Sequence, residues 1–173
     1  MEKNITTLQA GLKWGAYLGI ALIFFDLLLY LAGFKSPSES NAIQFLVYPI
    51  MFALIYLAVN DYKNGNEGFL SLGEAISSAI YTGLVAAAIS IVYSFIFIYI
   101  IDPGFMEEVK AVSKEAAMSR GNMSEDDYEK IEGLMNFFVS PYFLMIMTLI
   151  IYTITALISG LIAGLILRTK EAN

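Results

Sequence analysis

The chain has 173 residues, 58% of them hydrophobic and only 15% charged, with a net charge of −6 and a mean hydropathy of +0.67. A soluble domain carries about 45–50% apolar and about 25% charged residues, so this composition points to lipid as the solvent. Cysteine and histidine are both absent, which excludes disulfides and thiol chemistry and removes the commonest general base and metal ligand; the acidic balance argues against nucleic acid as a partner.

A helix needs about 20 apolar residues to cross the hydrocarbon layer. With charges as fences, four stretches qualify. The first lies between Lys13 and Lys35, 21 residues interrupted only by Asp26, and predicts a span over about 12–34. Its opening, "GLKWGAYLG", puts Gly11, Gly15 and Gly19 on one helical face. Asp26 sits just past the middle of the fence, about 3 Å toward the Lys35 end. A charged Asp there costs about 2.5–3.5 kcal/mol, so such residues usually face protein or water and often serve transport. Asp26 is therefore a candidate intramembrane polar site for a proton or cation. The plainer reading is a protonated Asp26 bonded to a neighbouring hydroxyl such as Tyr30, one turn on.

The second stretch, 21 uncharged residues between Glu39 and Asp61, predicts a span over about 41–60. It has no stripe of small residues and carries Pro49, which predicts a kink and looser packing. In "NDYKNGNEGFLSLGEA" the Asn64-Gly65 pair predicts a turn, and Ser71 with Glu74 three residues later predicts a capping box opening the next helix. The third stretch has 27 residues between Glu74 and Asp102 and predicts a span over 74–101, with Ala75, Ala79, Gly83 and Ala87 on one face. Asp102-Pro103 ends it.

The segment 104–139 reads as a helical hairpin. Phe105, Val109, Val112 and Ala116 recur at helical spacing, and Gly121 stops the first helix. Ser124 with Asp127 opens a second, whose apolar stripe is Tyr128, Ile131, Leu134 and Phe138. Each helix has one apolar face, so the hairpin is expected on the bundle or the membrane surface. Glu125, Asp126, Asp127 and Glu129 lack the alternating ligands and glycine of a calcium loop, and acids suit a first helical turn. No metal or other cofactor is expected. Asn4-Ile-Thr and Asn122-Met-Ser fit the glycosylation pattern, which would carry little meaning if the chain were bacterial. The final 35 residues between Glu132 and Arg168 are divided by Pro141. Ser140 reads as an N-cap and Pro141 as the first residue of a span over 141–167, along which Ala156, Gly160 and Gly164 repeat.

These elements predict an all-α integral membrane four-helix bundle, one domain over 1–173, with a helical hairpin between the third and fourth spans. In lipid, apolar side chains gain little by meeting each other, whereas small residues at every fourth position let backbones approach. All three stripes fall in the half nearer the chain ends, and bulk concentrates in the other half, in "FFDLLLY", "YSFIFIYII" and "YFLMIM". Close packing is expected at the terminal end and wider spacing at the hairpin end. Four spans place both termini on one side. Lys and Arg divide evenly between the sides, but those on the terminal side lie close to spans, which favours cytoplasmic termini. The first apolar run is too long for a signal core and no small-x-small cleavage site follows it.

The order of "DYKNGNEGF", "SLGEAISSAIYTGL", "IDPGF", "MSEDDYEKIE" and "LISGLIAGLILR" resembles the four-pass bacterial membrane proteins classed as domain of unknown function forty-one ninety-nine, common in the Bacteroidetes. The resemblance spans nearly the whole chain and implies a multi-pass inner-membrane protein of unassigned activity, with no catalytic residues to carry over. The functional expectation is a structural, regulatory or accessory component whose partners are the lipid bilayer and a protein or a second copy. The alternative is a small transporter or channel subunit using Asp26. An enzyme is disfavoured, since no nucleophile–base pair stands out.

Overall fold

A computed structural model describes residues 5–34, 42–121 and 124–169. The loop "KSPSES", Lys3, Lys170 and both glycosylation-pattern asparagines lie outside them. The architecture is all helical: α1 (Thr7–Leu31), α2 (Val47–Gly65), α3 (Leu72–Ile96), α4 (Phe105–Gly121), α5 (Glu125–Phe138) and α6 (Pro141–Leu167). A 3-10 segment, Ala42–Leu46, leads into α2, and a π-helical turn, Phe97–Ile101, extends α3. Four helices are long and apolar enough to cross a membrane: Thr7–Leu31, Ile43–Gly65, Leu72–Ile101 and Pro141–Leu167.

Local sequence sets the helix ends. Thr6 and Gln9 cap α1 reciprocally, at 3.2 and 3.0 Å, so α1 starts well before the fence at Lys13. Ser71 and Glu74 form the same box on α3. Ser140 caps α6, with Pro141 at the position where its missing N–H leaves no bond unmade. The Ser124 hydroxyl accepts from the Asp127 N–H and donates to the Asp127 carboxylate at 2.7 Å; Asp127 thus answers the cap through the hydroxyl.

One expectation about the second span needs correction. The turn predicted at Asn64-Gly65 lies further on, because α2 continues through Gly65. The Gly68 N–H closes back on the Lys63 carbonyl at 2.9 Å, with Glu67 and Gly68 at positive φ (55° and 82°), a helix end that favours glycine at its last residue. Gly65 is needed for a different reason: a Cβ there would sit 2.9 Å from the Ile5 Cβ. Met51, Ile55, Ala58 and Val59 are fully buried, so α2 fills the bundle with side chains instead of bringing its backbone close. Pro49 falls in its first turn, just after the change from 3-10 to α winding.

Around the bundle, α3 lies between α1 and α6 and makes the most extensive helix contacts with both, while α2 bridges α1 and α6 on the other side. The outer surface carries exposed Leu12, Ile20, Phe24, Ile146, Ile154 and Ile158, as expected of helices facing acyl chains. The start of α1, the end of α6 and the loop after α2 gather at one end, where Leu70 pairs with Thr169 and the Lys63 ammonium donates to the Leu167 carbonyl at 2.9 Å. That cation meets the negative end of α6. The charges that looked like span boundaries are partners: Asp61 accepts from Lys13 Nζ and from Trp14 Nε1, both at 2.8 Å.

The hairpin helices α4 and α5 pack on each other at the opposite end. Met106 and Val109 are buried against Phe97 and Ile98, and Tyr128 is buried while Leu134 and Phe138 are exposed. The Lys130 ammonium, 2.7 Å from Asp127, together with the Ser124 hydroxyl, holds the Asp127 carboxyl below the ordinary aspartate range.

Candidate functional site

Helix separation changes along the bundle, and that change creates the site. At the terminal end, a Cβ on Gly15 would lie 2.6 Å from the Val85 Cβ and 2.8 Å from the Thr82 carbonyl oxygen; one on Gly19 would lie 2.9 Å from the Ile89 Cβ, and Gly11 meets Tyr81. Four residues along α1 match four along α3, so the two helices run parallel. On the opposite face of α3 the order reverses. Gly83 meets Ala156, Gly160 meets Ala79, and Gly164 meets Ala75, with a built Cβ at 2.5–2.8 Å from its neighbour. Ala87 is fully buried on α3.

Toward the hairpin the small residues end and the helices part around a cavity of about 480 Å³. Its walls come from α1 between Leu22 and Tyr30, from Gln44 and Val47 at the start of α2, from Ser90, Tyr93 and Ser94 of α3, from Phe97 and Ile98 of the π turn, from Phe105, and from α6 between Pro141 and Tyr152. The walls are mostly apolar and aromatic. Their polar groups are the Asp26 carboxylate, three tyrosine hydroxyls, Ser90, Ser94, Thr148 and Gln44.

Asp26 lines this cavity, and so does Tyr30. The hydroxyl that reaches Asp26 belongs to Tyr93, which donates to Oδ2 at 2.8 Å. Tyr30 points elsewhere: its ring stands edge-on to Phe97, with centroids 5.1 Å apart, and its hydroxyl donates to Asp102 Oδ2 at 3.1 Å. Deeper in, Ser90 Oγ donates to the Tyr152 hydroxyl at 3.3 Å. Sequence reasoning missed Ser90, Tyr93, Thr148 and Tyr152. A signal for the first two was present, since Ser90, Tyr93, Ser94 and Phe97 follow the i, i+3, i+4, i+7 spacing of one helical face. Thr148 and Tyr152 lie four residues apart in a largely aliphatic run, where Thr153 and Thr155 offer competing polar positions.

The cavity ends abruptly on four helices. One turn beyond Leu22, Val47, Ser90 and Tyr152 lie Leu18, Met51, Ala86 and Ala156, all at 0% exposure. The space therefore stops at a closed core.

A family model described as a protein of unknown function, DUF4199, matches residues 13–169. The chain belongs to this family. The match runs from the second turn of α1 to two residues past the end of α6, and so takes in the cavity, most of the close-packed half and both hairpin helices of this DUF4199 protein. No curated protein and no solved structure matches the chain.

Proposed function

We propose that this DUF4199 protein is a non-enzymatic accessory or regulatory component of the bacterial inner membrane, with cytoplasmic chain ends, whose hairpin-side cavity receives a ligand. The observation that carries the reading is the closed floor of the cavity: a space that ends within one turn on all four helices suits binding, not passage. Its volume falls in the range typical of small-ligand sites, about 300–1,000 Å³. The pairing of Ser90 with Tyr152 and of Asp26 with Tyr93 supports holding a ligand over activating a nucleophile. The partners on this reading are the lipid bilayer and a protein or second copy that senses the occupied state.

The second reading, a small transporter or channel subunit, draws on one observation, that Asp26 lines the cavity. Thiol labelling separates the two, because the chain has no cysteine of its own. With Thr148→Cys in the cavity and Ala111→Cys on the hairpin, a membrane-impermeant maleimide should label both from the periplasmic face and neither from the cytoplasmic face. Labelling of Thr148→Cys from both faces would favour a conduit, and labelling of Ala111→Cys from the cytoplasmic face would reverse the orientation.

A further inference from the structure

Asp26 is the one ionisable carboxylate in the cavity wall, and the lining residues include neither Lys nor Arg among the described residues. Its bonded neighbour is a neutral phenol. A carboxylate among apolar walls is costly unless it takes up a proton or is met by a positive charge or further donors, so a cation in the cavity would find a complementary partner. Two kinds of cation compete. A hard metal ion requires about six oxygen ligands, usually with several carboxylates. No group of three acidic, His or Cys side chains comes together among the described residues, and about 480 Å³ far exceeds what a dehydrated ion fills.

The walls suit an organic cation instead. Phe97 stands at the centre of a ring cluster, 5.1 Å from Tyr30, 5.8 Å from Tyr93 and 5.4 Å from Phe105 between centroids. Aromatic faces attract alkylammonium groups through the ring quadrupole while their area accommodates apolar substituents. Phe97 begins the π turn, where the Asp102 N–H closes on the Phe97 carbonyl at 2.8 Å. Such turns are uncommon and concentrate at functional sites.

We propose that the hairpin-side cavity binds a hydrophobic organic cation, its ammonium beside Asp26 and its apolar body against the rings around Phe97. This rests on the reading of the cavity as a closed receptor site. The test uses the full chain in lipid nanodiscs with two probes of matched shape, benzyltrimethylammonium and its neutral carbon isostere neopentylbenzene. Protection of Thr148→Cys from maleimide reports occupancy.

The cation should protect at concentrations on the order of tenfold or more below those of the isostere, as expected when one partner of a close charge pair is supplied. Asp26→Asn keeps an acceptor for Tyr93, and it should remove that preference while leaving the melting temperature of the empty protein at or above its original value. Equal protection by both probes, indifferent to Asp26→Asn, would overturn the cation and leave an apolar space for acyl chains. The comparison of probes on the otherwise unaltered cavity decides the matter even if Asp26→Asn fails to fold. One-sided labelling without protection by either probe would also overturn the cation while the receptor reading stands. Labelling from both faces would remove the receptor reading itself, whichever probe binds.

Discussion

The same four helices behave differently at their two ends. Near the chain ends, α1, α3 and α6 touch through glycine and alanine, so backbone meets backbone. One or two turns on, the facing positions become Tyr93, Phe97, Leu144 and Tyr152, and the helices separate around a cavity. Both ends are apolar, so hydrophobicity does not distinguish them. What differs is side-chain size. In lipid the gain comes from dispersion at close approach, and large residues on facing positions trade that approach for enclosed space. Polar groups follow the same division: at the terminal end Lys13 and Trp14 meet Asp61, and Tyr62 meets Glu74, whereas at the hairpin end Asp26 has a neutral hydroxyl for a neighbour.

The sharpest way to break this contrast is to add bulk where backbones touch. Gly83→Leu would drive a side chain into Ala156 and the Tyr152 carbonyl, the latter 3.1 Å from a Cβ at that site, and neither can yield without moving a helix. The expected result is loss of folded protein, read as failure to recover a monodisperse species in detergent. Gly160→Ala is milder, with its added methyl at 2.5 Å from the Ala79 Cβ; a destabilisation of about 1–3 kcal/mol is expected from overpacking, measured by denaturant titration in mixed micelles. Unchanged stability in Gly160→Ala would mean that α3 and α6 are less closely joined than described.

Gly133 sharpens the comparison by reversing the sign. It lies inside α5, is exposed, and a Cβ there meets nothing within 4 Å. Gly133→Ala should therefore stabilise α5 by up to about 1 kcal/mol, the helix-propensity difference between the two residues. The same substitution thus helps in the hairpin and harms in the packed half, and hydrogen exchange across α5 would show slower opening.

Much of this arrangement is legible in the sequence, and the illegible parts have physical reasons. The four apolar helices follow from run length, and the caps at Ser71 and Ser140 from local hydrogen-bond chemistry. Helix ends are harder to place, because Lys13 and Asp61 read as boundaries in the sequence. They lie inside α1 and α2 and neutralise each other across the interface, so neither ends a helix. The spacing of Gly11, Gly15 and Gly19 is visible in one segment, but the helix each glycine meets depends on tertiary register. The same holds for Asp26. Tyr30 is its neighbour by sequence, whereas Tyr93 becomes its neighbour only once Gly19 has been set against Ile89.

The smallest expected effect belongs to the hairpin's outer edge, where water replaces lipid as the medium. The Lys130 ammonium and the Ser124 hydroxyl favour the charged form of Asp127, so the folded state holds this carboxyl below its ordinary range. A depressed carboxyl contributes its stabilisation above the unfolded value and loses it as pH falls through the folded one. Neutral and mildly acidic solutions should therefore leave the start of α5 intact, with fraying only below the ordinary aspartate range. Carbon-detected NMR of the Asp127 carboxyl should show a midpoint below 3.8, the unshifted value, and Lys130→Ala should raise it. A midpoint at or above that value would mean that the exposed ion pair is too screened to bias the carboxyl. The cap at Ser124 would then act through its hydroxyl alone.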